Sequence, residues 1–349
     1  QHPTARHTLL YFLTGNPGYI AYYVPFLTRL RALLNDLEAK HAHKVLFTIA
    51  GRNYIGFDDT DHPLPFNTTT RKPFNVEAEI QYSFKQLLAA NAIPPSTTSS
   101  SSSSSNSAPA PGTGRGGEPF DDVILIGHSL GTYIALEIFH RHLHEPSIAP
   151  NLNLRSGILL FATIAHLAKS PKGIHLNLLR RTPLLGTYLP LVAKLGLSLL
   201  PTAAVRWIVR RVLGMPPHAA DVTTNFLTSR DGVYQALYLG MDEMAVISEE
   251  SWAEELWEIA DEAVAHQHEV PKFFILFGGQ DHWVSREHRD RFIEMREEHV
   301  KREGVPGHKR GRTRIEVDET GLPHDFCISH SETVAEKVAV WVNEIAEHI

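Results

Sequence analysis

The stretch Val123-Ile-Leu-Ile-Gly-His-Ser129-Leu-Gly131 constrains this chain more than any other. Its four apolar residues read as a buried parallel strand, and the run Thr132-Tyr-Ile-Ala-Leu-Glu-Ile-Phe139 after them reads as a helix. Between strand and helix lies G-x-S-x-G, the tight turn that carries a nucleophilic serine. Gly127 and Gly131 are expected because a Cβ at either position would collide with the neighbouring strand or helix. Ser129 then sits strained at a helix start, where free N–H groups and the positive dipole end stabilise an oxyanion. The competing reading is a chance G-x-S-x-G in a loop. The flanking strand and helix argue against it.

The chain has 349 residues, enough for one large α/β domain or two small ones, either with a sizeable core. Hydrophobic residues make up 43% and charged residues 21%, an ordinary globular balance. The net charge of −6 argues against nucleic acid as a partner. Cys327 stands alone, which rules out an internal disulfide and points to a reducing compartment. The sequence opens on Gln1 rather than Met, so it does not speak to a leader segment.

Strands are expected at Thr8–Leu13, Val45–Ile49, Val123–Ile126, Gly157–Phe161, Lys272–Phe277 and Thr313–Val317. Helices are expected over Tyr22–Leu37, Asn75–Ala90 and Glu332–Ile345 as well as after Ser129. Strands alternating with helices give a mostly parallel sheet of about six strands covered on both faces. Two segments break the rhythm. Pro94–Pro119 is rich in Ser, Thr, Pro and Gly, with an unbroken serine run Ser99–Ser105, and cannot bury enough apolar surface to order itself. Residues 165–268 offer no convincing strand and are expected to form a helical cap on a core made of 1–164 and 269–349. The middle of that cap, Leu184 to Leu200 and on to Val212, is strongly apolar. Pro190, Lys194 and Pro201 are expected to interrupt it too often for a membrane span. Lys172, Arg180, Arg181, Arg206, Arg210 and Arg211 flank it, a pattern that suits an anionic lipid surface as well as simple packing.

A serine at such a turn needs an acid and a base in the chain order Ser, acid, His. Phe273-Phe-Ile-Leu-Phe-Gly-Gly-Gln-Asp281 supplies a carboxylate just past a buried strand, where Asp281 would fix an imidazole tautomer. A helix N-cap is the other reading of Asp281, and Asp242 is the rival acid. His324, in the loop after the last strand, is the expected base; His282, His308 and His330 lack its position. The oxyanion hole is assigned to the N–H groups of Leu130 and of Asn16. Asn16 lies in the turn Thr14-Gly-Asn-Pro-Gly18, where Pro17 has no N–H to offer. No metal, nucleotide or other cofactor is expected. The histidines lack H-E-x-x-H or comparable spacing, and no phosphate-cradling loop occurs.

Together Leu13-Thr-Gly-Asn-Pro-Gly18, Tyr22-Tyr-Val-Pro-Phe-Leu27 and Gly127-His-Ser-Leu-Gly-Thr-Tyr133 resemble the lipid droplet-associated serine hydrolases of the α/β-hydrolase fold. Asp242-Glu-Met244 with Ile247, Gly279-Gln-Asp-His-Trp283 and His324-Asp-Phe-Cys327 extend the resemblance nearly from end to end. It implies Ser129, Asp281 and His324 as the triad and a sheet that starts at the third strand of the full plan. The cap would then be inserted after the sixth-strand position. It also implies a cytosolic protein at lipid droplets and the endoplasmic reticulum surface, with esterase or sterol-ester hydrolase activity. The expected substrate is a hydrophobic acyl ester. The alternative is a droplet-associated lipid-binding or organelle-association protein with little turnover.

Overall fold

The computed structural model describes residues 5–67, 69–92, 118–182, 184–248, 252, 256–257, 273–302 and 313–348. Six strands form one parallel sheet: β1 Arg6–Leu13, β2 Val45–Gly51, β3 Asp122–His128, β4 Leu154–Leu160, β5 Phe273–Gly278 and β6 Arg314–Asp318. Their order is β2-β1-β3-β4-β5-β6, with every pair parallel. The expected strands and helices are all present with small shifts at their ends. The Ser-rich segment lies outside the described residues, apart from Glu118 and Pro119, as does most of 249–272.

The apolar runs form strands because both faces of the sheet are covered. Leu9, Tyr11, Leu13, Val123, Leu125, Leu159, Phe273 and Ile275 point into one layer, with Val76, Ile80, Ile134 and Ile138 of the helices α2 Val76–Asn91 and α3 Leu130–His144. Leu10, Phe12, Ile124, Ile126, Ile158, Leu160 and Phe274 alternate into the other layer. There they meet α1 Val24–Lys40 and the C-terminal helix Ser331–Ala346, whose Val334, Val338, Trp341, Val342 and Ile345 recur at helical spacing. Each such side chain, fully buried, contributes roughly 1.5–3 kcal/mol.

The sheet order also locates the site. From β1 the chain steps outward to β2, then returns across β1 to β3, so a switch point falls between β1 and β3. Ligand crevices of parallel sheets open at the carboxyl ends of strands at such a point. The registers Leu13↔Gly127 and Gly278↔Asp318 bring the loops after β1, β3, β5 and β6 to one edge.

Between β4 and β5 the described residues contain helices and no strand: α4 Pro171–Arg181, α5 Leu185–Ser198, α6 Thr202–Trp207, α7 Pro217–Thr228 and α8 Gly232–Val246. A π-turn, Ile208–Val212, continues α6. One expectation fails here. Pro190 and Lys194 do not interrupt the apolar run; both lie inside α5. Pro190 is buried, so packing offsets its lost hydrogen bond, and the Lys194 ammonium is neutralised by Asp231 at 2.5 Å. Pro201 does break the run, as N-cap of α6. No single helix among the described residues is long and apolar enough to cross a membrane; α5 and the α6 segment together are, but bent by 101°. After β5 comes α9 Arg286–Arg302, and Ser331–Ala346 is α10.

Candidate active site

Ser129 takes φ 52° and ψ −121°, a backbone conformation that an L residue adopts only where its surroundings impose it. Two glycines make that possible. A Cβ on Gly127 would stand 2.4 Å from Gly131 O, and one on Gly131 would stand 2.3 Å from Leu13 O. The strand can therefore turn into α3 within one residue only because both are glycine. Leu130 is the first residue of α3, so its N–H has no partner within the helix.

The other two expected side chains converge on Ser129. His324 Nε2 lies 2.9 Å from Ser129 Oγ, and His324 Nδ1 lies 2.6 Å from Asp281 Oδ2. The Asp281 side chain is buried and its second oxygen accepts the Trp283 N–H at 2.8 Å. With a carboxylate on Nδ1, the imidazole carries its proton there and presents Nε2 as an acceptor for the serine hydroxyl. The rival Asp242 is engaged elsewhere, accepting Val76 N–H at the start of α2 beside the Asn75 cap. His282 gives its carbonyl to Lys172 N–H, His330 is the N-cap of α10, and His308 lies outside the described residues.

The loop that delivers His324 is built by Asp318. Its carboxylate accepts Gly321 N–H at 2.9 Å, Leu322 N–H at 2.8 Å and the Thr320 hydroxyl at 2.7 Å. Burial pushes the Asp318 pKa up, and these hydrogen bonds outweigh it, so the group sits below the usual carboxylate value.

Two residues that motif spacing left unassigned tie the site together. His128 is buried, and its Nε2–H donates to His324 O at 2.8 Å. Burial, with His324 nearby, holds its pKa well below the ordinary histidine value, so its Nδ1 is free of a proton and accepts from Tyr23 OH at 2.7 Å. Tyr23 OH in turn accepts the Gly15 N–H at 3.0 Å. One chain of hydrogen bonds thus links the β1 turn, the elbow and the His324 carbonyl. The only hint in the sequence was position: His128 is the x of G-x-S, and Tyr23 belongs to the Tyr22-Tyr-Val-Pro segment.

The β1 turn abuts the elbow, since a Cβ on Gly15 would come within 3.1 Å of Ser129 Cβ. Asn16 follows Gly15 and is joined to Pro17 by a cis peptide bond. Its side-chain amide points away from the elbow, donating to Ala236 O at 2.9 Å and Glu243 Oε1 at 2.8 Å, both on α8. Phe161 and Trp283 lie against the His324 ring, with centroids 5.9 and 6.4 Å away, and Phe326 stacks on Phe161 behind it. Among the described residues no group of three or more His, Cys, Asp or Glu side chains is arranged to hold a metal.

Comparison with known proteins agrees with this architecture. The profile of the lipid-droplet associated hydrolase family matches residues 6–105 and 114–327. The mouse lipid droplet-associated hydrolase is 25% identical over 96% of this chain and 84% of its own length. The human protein of the same name is 23% identical, over 95% and 83%. Among solved structures, an ancestral haloalkane dehalogenase superposes with a TM-score of 0.53 at 14% identity, covering 99% of this chain and 94% of the other. That likeness shows the α/β-hydrolase fold.

Proposed function

The chain belongs to the lipid-droplet associated hydrolase family, and on that premise we propose that it is a serine ester hydrolase acting on hydrophobic acyl esters at a lipid surface. One observation carries the reading: the unbroken line Ser129 Oγ, His324 Nε2, His324 Nδ1, Asp281 Oδ2 at a strained strand-to-helix turn. In this mechanism Ser129 Oγ attacks the acyl carbon while its proton passes to His324 Nε2. Asp281 stabilises the resulting imidazolium. The N–H groups of Leu130 and Asn16 hold the oxyanion of the tetrahedral intermediate. Collapse breaks the ester C–O bond, and His324 returns the proton to the departing alcohol. Water then repeats the sequence on the acyl-enzyme and releases the acid.

The helical segment favours an acyl chain or sterol over a polar substrate. Most of the large apolar side chains left exposed among the described residues fall between Ile174 and Leu213. Leu178, Leu184, Leu199, Trp207 and Val212 are each more than half exposed. Such a patch marks a surface meant to meet something apolar. Arg180, Arg181 and Arg211 lie among these residues, which suits a membrane-like interface of anionic headgroups. The names of the relatives place them at lipid droplets, and we assign this chain the same surface, docked through α4 to α6 as a cap.

Labelling with a fluorophosphonate probe tests the chemistry. The parent chain should label, and Ser129→Ala and His324→Ala should not. A folded parent that stays unlabelled in the presence of lipid vesicles overturns the enzymatic reading and leaves lipid association as the activity.

A further inference from the structure

The segment Asp242-Glu243-Met244 has no part in the proton transfers above, yet α8 carries it to the back of the β1 turn. Gly15 gives that turn little stiffness of its own, so tethers must hold it. Tyr54 OH donates to Thr14 O, Tyr23 OH accepts from Gly15 N–H, and Asn16 is held from α8. The first tether comes from the loop after β2 and the second from the 3-10 turn Ile20–Tyr23 before α1. Only the third comes from the helical segment. Both hydrogens of the Asn16 amide are used there, on Ala236 O and on the buried Glu243 carboxyl, which fixes the plane of the amide.

We propose that Glu243 is a positioning residue for the oxyanion hole: through the Asn16 side chain it sets the direction in which Asn16 N–H faces the acyl oxygen above Ser129. The inference rests on the serine-hydrolase reading and deepens it, since it makes the hole a joint product of core and helical segment.

The chemistry of the site explains why an acid can serve there. Burial, with Asp242 adding to it, pushes the Glu243 pKa up to about 8. At neutral pH the group is therefore mostly uncharged and accepts from Asn16 without opposing a developing oxyanion. The titratable groups facing it are Asp242 on α8, Glu79 from α2 and Tyr54 from the loop after β2. No charged side chain of α4, α5 or α7 pairs with it. Raising the pH through about 8 ionises Glu243 and places a negative charge behind the hole. The turnover rate should fall over that range, and KM should not move.

The test uses the full chain, hydrolysis of p-nitrophenyl octanoate and the rate of fluorophosphonate labelling. Glu243→Ala should lower kcat by about 10- to 100-fold, less than the 10²–10³ typical of deleting an oxyanion donor, with KM within about twofold. Glu243→Gln keeps an acceptor oxygen for Asn16, so it should restore most of the rate and lose the fall above pH 8. Asn16→Ala keeps the backbone N–H and should reproduce the loss; the double variant should be no slower than either single. If Glu243→Ala fails to fold, Asn16→Ala and the alkaline limb of Glu243→Gln carry the test. Unchanged kcat in Glu243→Ala or Asn16→Ala, additive losses, or an alkaline limb retained in Glu243→Gln overturns the inference alone. A parent that neither labels nor turns over ester overturns the hydrolase reading, and this inference with it.

Discussion

The carboxyl edge of the sheet and the helices between β4 and β5 are built on opposite principles. At the sheet edge each member of the Ser129, His324 and Asp281 line is fixed from several sides. Ser129 is held by two glycines that cannot be replaced, and Asp281 by Trp283 N–H and His324. His324 is held by Asp281 and, through its carbonyl, by His128. The helical segment is the reverse: α4, α5 and α6 turn large apolar side chains outward. It is joined to the rest by buried apolar residues of its inner side, among them Leu239, Met244 and Ile247, and by polar anchors. Lys172 N–H binds His282 O, Asp242 accepts Val76 N–H at the start of α2, Glu243 holds Asn16, and the buried Asp231 gathers Lys194, His62 and Arg230. On the proposed function the difference teaches that position is enforced where bonds would change, because small displacements cost rate steeply. The outward face needs only to be apolar and accessible.

The comparison breaks most easily at the sheet edge. Asp281→Asn keeps the shape of the side chain but presents the wrong partner to His324 Nδ1. It should lower kcat by about 10⁴-fold, as loss of the orienting carboxylate does in other triads, with an unchanged thermal midpoint. A loss below tenfold would show that the line of hydrogen bonds is structural. Next in size is the anchor cluster. Asp231 is fully buried and accepts from Lys194 at 2.5 Å, His62 at 2.9 Å, Arg230 at 2.9 Å and Phe66 N–H at 3.2 Å. Asp231→Ala leaves the Lys194 ammonium without its counter-charge and should cost about 3–5 kcal/mol in urea unfolding. Full stability in that variant would mean that α5 is anchored by its apolar contacts alone.

The smallest effect sharpens the contrast. Replacing Leu199 and Val212 by Gln alters side chains that are 83% and 64% exposed. Stability should stay within about 0.5 kcal/mol. Flotation with lipid droplets or anionic vesicles should weaken by roughly tenfold or more, on the ~1.5–3 kcal/mol gained by burying each such side chain. Undiminished flotation would sink the lipid-facing role and leave the patch to some other partner.

Much of this molecule was legible in the sequence because its signals are local. Strands buried on both faces appear as unbroken apolar runs, and a turn that admits no Cβ shows as two glycines around a serine. Asp281 and His324 could be named because parallel strands end at one edge, so residues just past β5 and β6 must approach the elbow. The helical character of the segment after β4 was equally plain from its missing strands. What the sequence misled on was Pro190 and Lys194, read as interruptions. Propensity and charge are local quantities, whereas packing and a counter-charge at Asp231, 37 positions away, are supplied only by the fold. The partners of His128, Tyr23 and Glu243 were out of reach for the same reason. Each bond joins elements distant in the chain, and a hydrogen bond leaves no periodic trace in composition. The chain alone determined where the strands must lie and which residues stand at their carboxyl ends. The tertiary structure decided which of them touch, because contact is a property of how layers close and not of the order of residues.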